Sequence, residues 1–321
     1  MNHPFRIATL SAAVFAAFSV HASEEPDLGA VVVTATRQPT RINEQLTDVT
    51  VIEREAIEQA GATTLPELLS RQAGMQVVSN GGLGKASSIF MRGTNAGHTL
   101  LLVDGIPLGS VTLGSPSFSN LPLSQIERIE ILRGPASSLY GSDAIGGVIQ
   151  IFTKQGAGPL RPEAFVGAGS YGTWETQAGL SGGTDSWSYS LRASHLKTDG
   201  INVASDPIRY QQANFSLPNP DNDPYRNTSW SGRVAFRPAA GHELGATLLT
   251  ADSKNHYDGG GPTIGAYSND TNRAWTAYSR NQLAQIWTST LRYGESTDDS
   301  ESFCAGQKPV CYGTKAMDLA K

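Results

Sequence analysis

From about residue 160 onward, apolar and polar residues alternate with a period of two, and this limits the fold more than any other feature. Between Thr173 and Ser181, Trp174, Thr176, Ala178 and Leu180 share one face, and Thr173, Glu175, Gln177 and Ser181 share the other. Trp187, Tyr189, Leu191 and Ala193 then oppose Ser188, Ser190, Arg192 and Ser194. Trp230, Val234 and Phe236 oppose Ser231, Arg233 and Arg237; Leu244, Ala246 and Leu248 follow, and Trp287, Leu291 and Tyr293 come later. Short turns at Gly182–Ser186 and Ala239–Gly241 alternate with long polar segments, Gly200–Asn227 and Ser253–Asn272. One apolar face, one polar face, aromatic residues near strand ends and spans of ~9–11 residues describe the wall of a transmembrane antiparallel β-barrel. A soluble β-sandwich alternates too. The arginines on the polar face, the strand lengths and the alternation of turn lengths favour the barrel.

Before residue 156 the pattern differs. Apolar runs are nearly continuous and helix signals mix with strand signals. Thr64-Leu65-Pro66-Glu67 has capping-box spacing with proline in the first turn, so a helix is predicted through Arg71, stopped at Gly74. Thr99–Val103 reads as a buried strand ending in the turn Asp104-Gly105. Leu123–Arg128 reads as a brief helix, followed by strands at Ile129–Leu132 and Gly147–Thr153. The fold class predicted is a small α+β unit followed by the first strands of a transmembrane antiparallel β-barrel. The 34 glycines among 321 residues argue against a helical bundle. The net charge of −5, without a basic stripe, excludes nucleic acid as a partner.

The first residues read as an export signal. Arg6 precedes the apolar run Ile7–Val20, and Val20-His21-Ala22 suits a signal peptidase, so residues 1–22 are expected to be removed. The run is too short to span a bilayer, which takes ~20 residues. Export leads to an oxidising compartment, where the close pair Cys304 and Cys311 reads as a loop disulfide.

Several motifs resemble catalytic or nucleotide sites and fail on context. In the segment Gly81-Gly82-Leu83-Gly84-Lys85, Ser79 stands where a phosphate loop needs its first glycine, and Ala86 replaces Ser/Thr. Gly167–Gly172 matches a dinucleotide fingerprint, yet a strand follows it rather than a helix. Ser181 in Gly179–Gly183 leads into a hairpin turn, not a nucleophile elbow. No enzyme is expected, and no catalytic cofactor. Asp221 and Asp223 in one polar loop, with Asp252 and Asp258 flanking the next, have the chemistry of a calcium site or of ordinary solvated loop acids.

With these residues placed, the chain resembles the TonB-dependent outer-membrane receptors, and within them the cobalamin receptors. Val31-Val32-Val33-Thr34-Ala35-Thr36 resembles a TonB box. Ser87–Asn95, Leu102–Gly105, Arg133-Gly134-Pro135 and Tyr140–Ile149 resemble the plug signatures, in the family's order. The resemblance implies residues 23–37 as a periplasmic segment, 38–156 as a plug and 161–321 as a partial barrel of about seven or eight strands. It implies TonB as partner, with ExbB and ExbD behind it, a surround of outer-membrane lipid, and a corrinoid as ligand. A ferric siderophore or haem receptor is the alternative, and a ligand-binding plug without transport is a second. Asn80, Lys85, Ala86, Ser88, Asn95, Leu113 and Gly114 match substrate-contacting positions. Asp221, Asp223, Asp252 and Asp258 match structural calcium ligands, with Asn202 where an acid is expected. Arg92 and Arg133 match plug arginines that face barrel carboxylates, or else simply fix the plug. Complete family barrels have 22 strands, so the 161 residues after residue 160 are expected to be an amino-terminal portion.

Overall fold

The computed structural model describes residues 31–32, 34, 37, 40–44, 46–109, 115–202, 221–258, 265–305, 315–316 and 319–320. The expectations for residues 1–22, Val33, Ala35, Thr36, Leu113, Gly114, Cys311 and the Cys304 side chain lie outside the described residues, so the disulfide does too.

In chain order, the amino-terminal part contains β1 (Val31–Val32), β2 (Thr40–Arg41), β3 (Asp48–Ile52), helices α1 (Arg54–Gln59) and α2 (Leu65–Ser70), and β4 (Met75–Ser79). There follow β5 (Ser87–Met91), β6 (Thr99–Val103), β7 (Ile106–Pro107), β8 (Ile126–Arg133), α3 (Ser137–Tyr140) and β9 (Gly147–Thr153). Five strands make one sheet in the order β3-β8-β9-β6-β7, in which only β6 and β9 run parallel. Both faces of this sheet are covered, which is why its strands read as unbroken apolar runs. Leu101 and Val103 pack under α1 and α2 with Ile57, Leu65, Leu68, Ile129 and Ile149. Leu100 and Leu102 point the other way, onto Leu132, Ala136, Ala144 and Val148.

Local structure departs from the sequence reading in three places. Thr64 caps α2 by accepting from the Glu67 amide at 3.2 Å, but the Glu67 carboxylate accepts from the amide of Thr63, at 2.9 Å, rather than from that of Thr64. The box therefore closes one residue early. The helix ends at Ser70, and Gly74, with φ of +71°, serves the turn into β4 instead. The helix predicted at Leu123–Arg128 is one 3₁₀ turn, Leu123–Gln125, because Ile126 already pairs with Thr153 on β9.

Among the described residues the wall has seven long strands: β10 (Arg161–Gly169), β11 (Thr173–Gly183), β12 (Trp187–Thr198), β13 (Tyr225–Ala239), β14 (His242–Asp258), β15 (Gly265–Ala284) and β16 (Trp287–Ala305). Each pairs antiparallel with the next, and Lys315–Ala316 and Leu319–Ala320 add short pairings to β16. Burial is inverted relative to a soluble sheet. Trp174, Leu180, Trp187, Leu191, Trp230 and Leu248 are exposed, while Ser181, Ser188, Ser190, Ser194, Ser229 and Ser231 are buried. A sandwich would bury the apolar face. This sheet turns it outward, as a lipid-facing wall does.

The long polar segments are shorter than predicted. Ser253–Asp258 and Gly265–Asn272 are strand, continuing β14 and β15 beyond the apolar band. The backbone ladder persists there while the outward residues become polar, so alternation of hydrophobicity gives no signal. The β10–β11 connection at Ser170–Gly172 is also tight, with positive φ at Tyr171 and Gly172.

The plug unit sits on the inner face of this wall through a polar seam. The Gln125 amide donates to Ser194 and Ser229 hydroxyls at 3.4 and 3.2 Å and accepts from Ser231 at 2.5 Å. Asn227 donates to the Asn120 carbonyl at 2.9 Å, Ser117 to Asp298 at 2.9 Å, and Ser296 to the Pro107 carbonyl at 2.6 Å. Among the described residues, Leu249 and Ala274 are the buried wall side chains that join the plug core. Ile131→Ala, at a fully buried position, is expected to cost ~2–5 kcal/mol. Leu191→Ala, on the outward face, should cost far less in detergent; denaturant titration of both variants checks the contrast.

Candidate functional site: a docked amino-terminal segment and the plug apex

Two ends of the plug carry the residues singled out above. At one end the amino-terminal segment is docked. Val31 and Val32 pair antiparallel with Arg41 and Thr40, a ladder of only two residue pairs. Val32 and Thr34 are both fully buried. The Thr34 amide and hydroxyl donate to one carboxylate oxygen of Glu130, at 2.8 and 2.6 Å. Gln150 Oε1 lies 3.2 Å from the same hydroxyl, and Tyr140 donates to the Thr34 carbonyl at 2.9 Å. Glu130 and Gln150 are cross-strand partners on β8 and β9, the middle of the sheet. Arg128 holds the other Glu130 oxygen at 3.0–3.1 Å and lies over the Phe152 ring.

At the other end β4 and β5 form a ribbon whose connection, Asn80–Ala86, is the apex loop. It closes through Asn80 N–H to the Ala86 carbonyl at 3.1 Å. Gly84 lies flat on the Tyr225 ring with φ of +75°, and a Cβ there would overlap that ring. Asn80 and Ala86 are exposed and Ser88 is half-buried, so these three are open to a ligand. Lys85 is not: it is only 4% exposed. Its ammonium donates to Asn255 Oδ1 at 2.8 Å, to the His256 carbonyl, and to the Asp223 carbonyl at 3.4 Å. Burial lowers its pKa, and the Asp223 and Asp258 charges oppose that. Lys85 therefore moors the apex loop to the outer ends of β13 and β14. Asn95 lies past the opposite end of β5, in a turn where the His98 carbonyl accepts from Gly146, and so is not part of the apex group.

The four acids do not form one ligand set. Asp252 sits on the outward face of β14 and accepts from Thr271 at 2.8 Å. Asp258, six residues along the same strand, is roughly 20 Å away at ~3.3 Å per residue. Among the described residues no three His, Cys, Asp or Glu side chains come together as a metal site. The Lys85 ammonium feels the charges of Asp223 and Asp258, and its hydrogen bond near them goes to the Asp223 backbone carbonyl. For Arg92 and Arg133 the structure shows the second of the two expected roles. Both pair with Asp48 of the plug's own β3, and Arg133 donates to Thr50 at 2.7 Å and to the Ala73 carbonyl at 2.8 Å. They fix the plug rather than facing wall carboxylates.

Two spaces border the seam. One of about 430 Å³ lies at the apex, lined by Leu83, Gly84, Lys85, Tyr171, Ile201 and Asp223. A larger one, about 820 Å³, follows the inner face of β10–β13. Within it Arg192 grips Glu163 at 2.5 and 2.9 Å, and Lys154 lies 3.7 Å from the same carboxylate. Lys85→Ala unmoors the apex loop. Hydrogen exchange at the Gly84–Ser88 amides is expected to accelerate roughly tenfold or more, while exchange in β9 stays unchanged.

Comparison with known proteins agrees with this geometry. Residues 41–148 match the TonB-dependent Receptor Plug Domain. The vitamin B12 transporter BtuB of Photobacterium profundum is 33% identical over 290 residues, covering 88% of this chain and 45% of the relative. That of Vibrio cholerae serotype O1 is 48% identical over 135 residues, 42% of this chain and 22% of the relative. The chain thus spans less than half the length of these relatives. Among solved structures, the pyoverdine outer membrane receptor FpvA of Pseudomonas aeruginosa superposes with a TM-score of 0.71 at 15% identity, covering 86% of this chain and 40% of FpvA. The siderophore receptor PirA of Acinetobacter baumannii gives 0.55 at 21% identity, over 85% of this chain and 47% of PirA. At such identities the structures establish the fold alone. The chain carries a plug domain of the TonB-dependent receptors, joined to the opening strands of the outer-membrane β-barrel wall that encloses such plugs.

Proposed function

We propose that this chain is the ligand-reading and force-receiving part of a TonB-dependent transport receptor, and that its ligand is a corrinoid. The observation that carries the reading is the docked amino-terminal segment. It is β-prone, and among the described residues it is held by two strand pairs, a buried threonine and Arg37 over the Tyr140 ring, and tied to β8 and β9 of the plug sheet. A partner with an exposed sheet edge can take over such a segment by strand addition. TonB, energised by ExbB and ExbD, is that partner in this reading. Tension applied at Thr34 then acts on Glu130 and Gln150 directly, in the middle of the plug, rather than on a peripheral loop.

Asn80, Ala86 and Ser88 are the apex positions proposed to meet ligand, beside the apex cavity. Lys85 supports them by mooring the loop. The corrinoid assignment rests on the similarity to vitamin B12 transporters. A catalytic reading at Ser181 has no support, because that side chain is buried within β11. Calorimetric titration with cyanocobalamin, a ferric siderophore and haem tests the ligand. Saturable binding of cyanocobalamin alone is expected, and binding of either iron ligand instead would replace the assignment.

Two variants test the docked segment. Val33→Pro removes a strand donor and should abolish uptake while leaving ligand binding intact. Unchanged uptake would remove the TonB-box assignment, and lost binding would point to a folding role. Thr34→Val removes the hydroxyl donor to Glu130 and leaves only the backbone amide, and should loosen the segment. Tryptic cleavage after the exposed Arg37 is expected to speed up about tenfold.

A further inference from the structure

On the inner face of the wall, above the apolar band, two carboxylates lie side by side without a counter-charge. Asp298 on β16 is buried and Asp270 on β15 is half-buried. Across the β15–β16 ladder Asp270 pairs with Ser300 and Asn272 with Asp298, so Asp270, Asn272 and Asp298 occupy adjacent positions of one inward patch. The outward neighbours Thr271, Thr297 and Asp299 are polar, which sets the patch outside the membrane-spanning band. Among the described residues no lysine, arginine or histidine forms an ion pair with either carboxylate. Their hydrogen bonds come from neutral groups. Asp270 accepts from Ser300 at 2.5 Å, Ser268 at 3.0 Å and Ser253 at 3.4 Å. Asp298 accepts from the Ser117 hydroxyl at 2.9 Å and from the Ser117 amide at 3.3 Å. Burial pushes Asp298 up to about 6 and raises Asp270 above the ordinary carboxylate range, and the Asp270 charge adds to the shift at Asp298.

Asn272 points to a ligand independently. It is 1% exposed, and neither atom of its side-chain amide makes a hydrogen bond. A buried amide left in that state is costly. Ala251 stands beside it in the same row of β14 and offers no polar group. Its polar neighbours on this face are the two carboxylates, Asp298 across the ladder and Asp270 two residues along β15. The Asn272 amide lies close enough to Asp298 to ease that charge, without a well-formed bond.

We propose that Asp270, Asn272 and Asp298 form a site for a divalent cation that ties the wall to the plug through Ser117. Two carboxylates balance the charge of such an ion, and the Asn272 carbonyl oxygen supplies a neutral ligand that has no other use. The Ser117 and Ser300 hydroxyls bring further oxygens to the same place. A mixed set of carboxylate, amide and hydroxyl oxygens suits calcium better than magnesium, which demands near-ideal octahedral geometry. Ser117 belongs to the plug, so the ion braces plug and wall on the apex side. The site is separate from Asp252 and Asp258, which stand on the outward parity of β14, and is independent of which nutrient the receptor carries. A proton shared by Asp298 and Asn272 is the competing way to settle the same groups.

Calorimetric titration of calcium chloride into the chelator-treated full chain, in detergent at neutral pH, tests the site. Saturable binding is expected, with magnesium weaker. Asp298→Asn and Asn272→Ala should each weaken calcium binding about tenfold or more, and D252N/D258N should retain it. Hydrogen exchange at the Ser117 amide is expected to slow about tenfold with calcium in the wild type, and not in Asp298→Asn. Protection of the β15 and β16 amides reports whether each variant is folded. If Asp298→Asn loses that protection, Asn272→Ala decides, since it leaves both carboxylates and the Ser117 bonds in place. Calcium binding that survives Asn272→Ala and Asp298→Asn at full strength, or that disappears in D252N/D258N, would overturn the site. The absence of saturable calcium binding would overturn it in favour of the shared proton.

Discussion

Everything in this molecule depends on how the wall satisfies two solvents at once. Its backbone groups are paired strand to strand, and its apolar side chains face outward, so the inner surface is left to serines, asparagines and charged groups. A plug that packs on such a surface cannot be held mainly by the hydrophobic effect. It is held by hydrogen bonds between small polar groups, each contributing a net ~0.5–1.5 kcal/mol, because water can replace either partner. The Gln125 contacts with Ser194, Ser229 and Ser231 are of this kind. Within the plug the opposite holds, since Ile129, Ile131, Ile149 and Ile151 are fully buried between the sheet and its helices. A firm body on a re-solvatable seat is what a movable plug requires.

Two stronger attachments pin that body at its ends. At the apex, the Lys85 ammonium reaches across to the outer ends of β13 and β14 and is buried among their oxygens. At the other end, Glu130 is buried beneath Thr34. Each is a charged group whose partner cannot leave without exposing or orphaning that charge, so each resists loosening more than the serine seam does. One lies beside the proposed ligand surface and the other beside the segment offered to the partner.

The sequence disclosed the architecture well and the site unevenly. The alternation of apolar and polar residues identified the wall because lipid on one side and a wet lumen on the other impose a strict period of two. The same signal failed beyond the apolar band, where β14 and β15 continue with Asp252, Lys254, Asn269 and Thr271 facing outward. There both faces are polar and only the backbone ladder marks the strand. In the plug, β6 and β9 were legible as continuous apolar runs, whereas Leu123–Arg128 misled, since Ile126 belongs to a ladder that local propensity does not reveal. The family resemblance puts Lys85 among the ligand contacts, by its position beside Ala86 and Ser88. Nothing local shows that Asn255 and His256, some 170 residues on, would cage it. The acids stand apart for the same reason: Asp252 and Asp258 are six residues apart on the outward parity of β14, and Asp223 is buried.

The separability of plug and wall can be measured directly by hydrogen exchange of the detergent-solubilised chain through a urea series. The amides of β6 and β9 report the plug, and those of β12 and β13 report the wall. Protection is expected to disappear in two steps, the plug strands opening as one unit while the wall ladder still holds. A single transition, in which all four strands lose protection together, would mean that plug and wall form one cooperative core and would contradict the account.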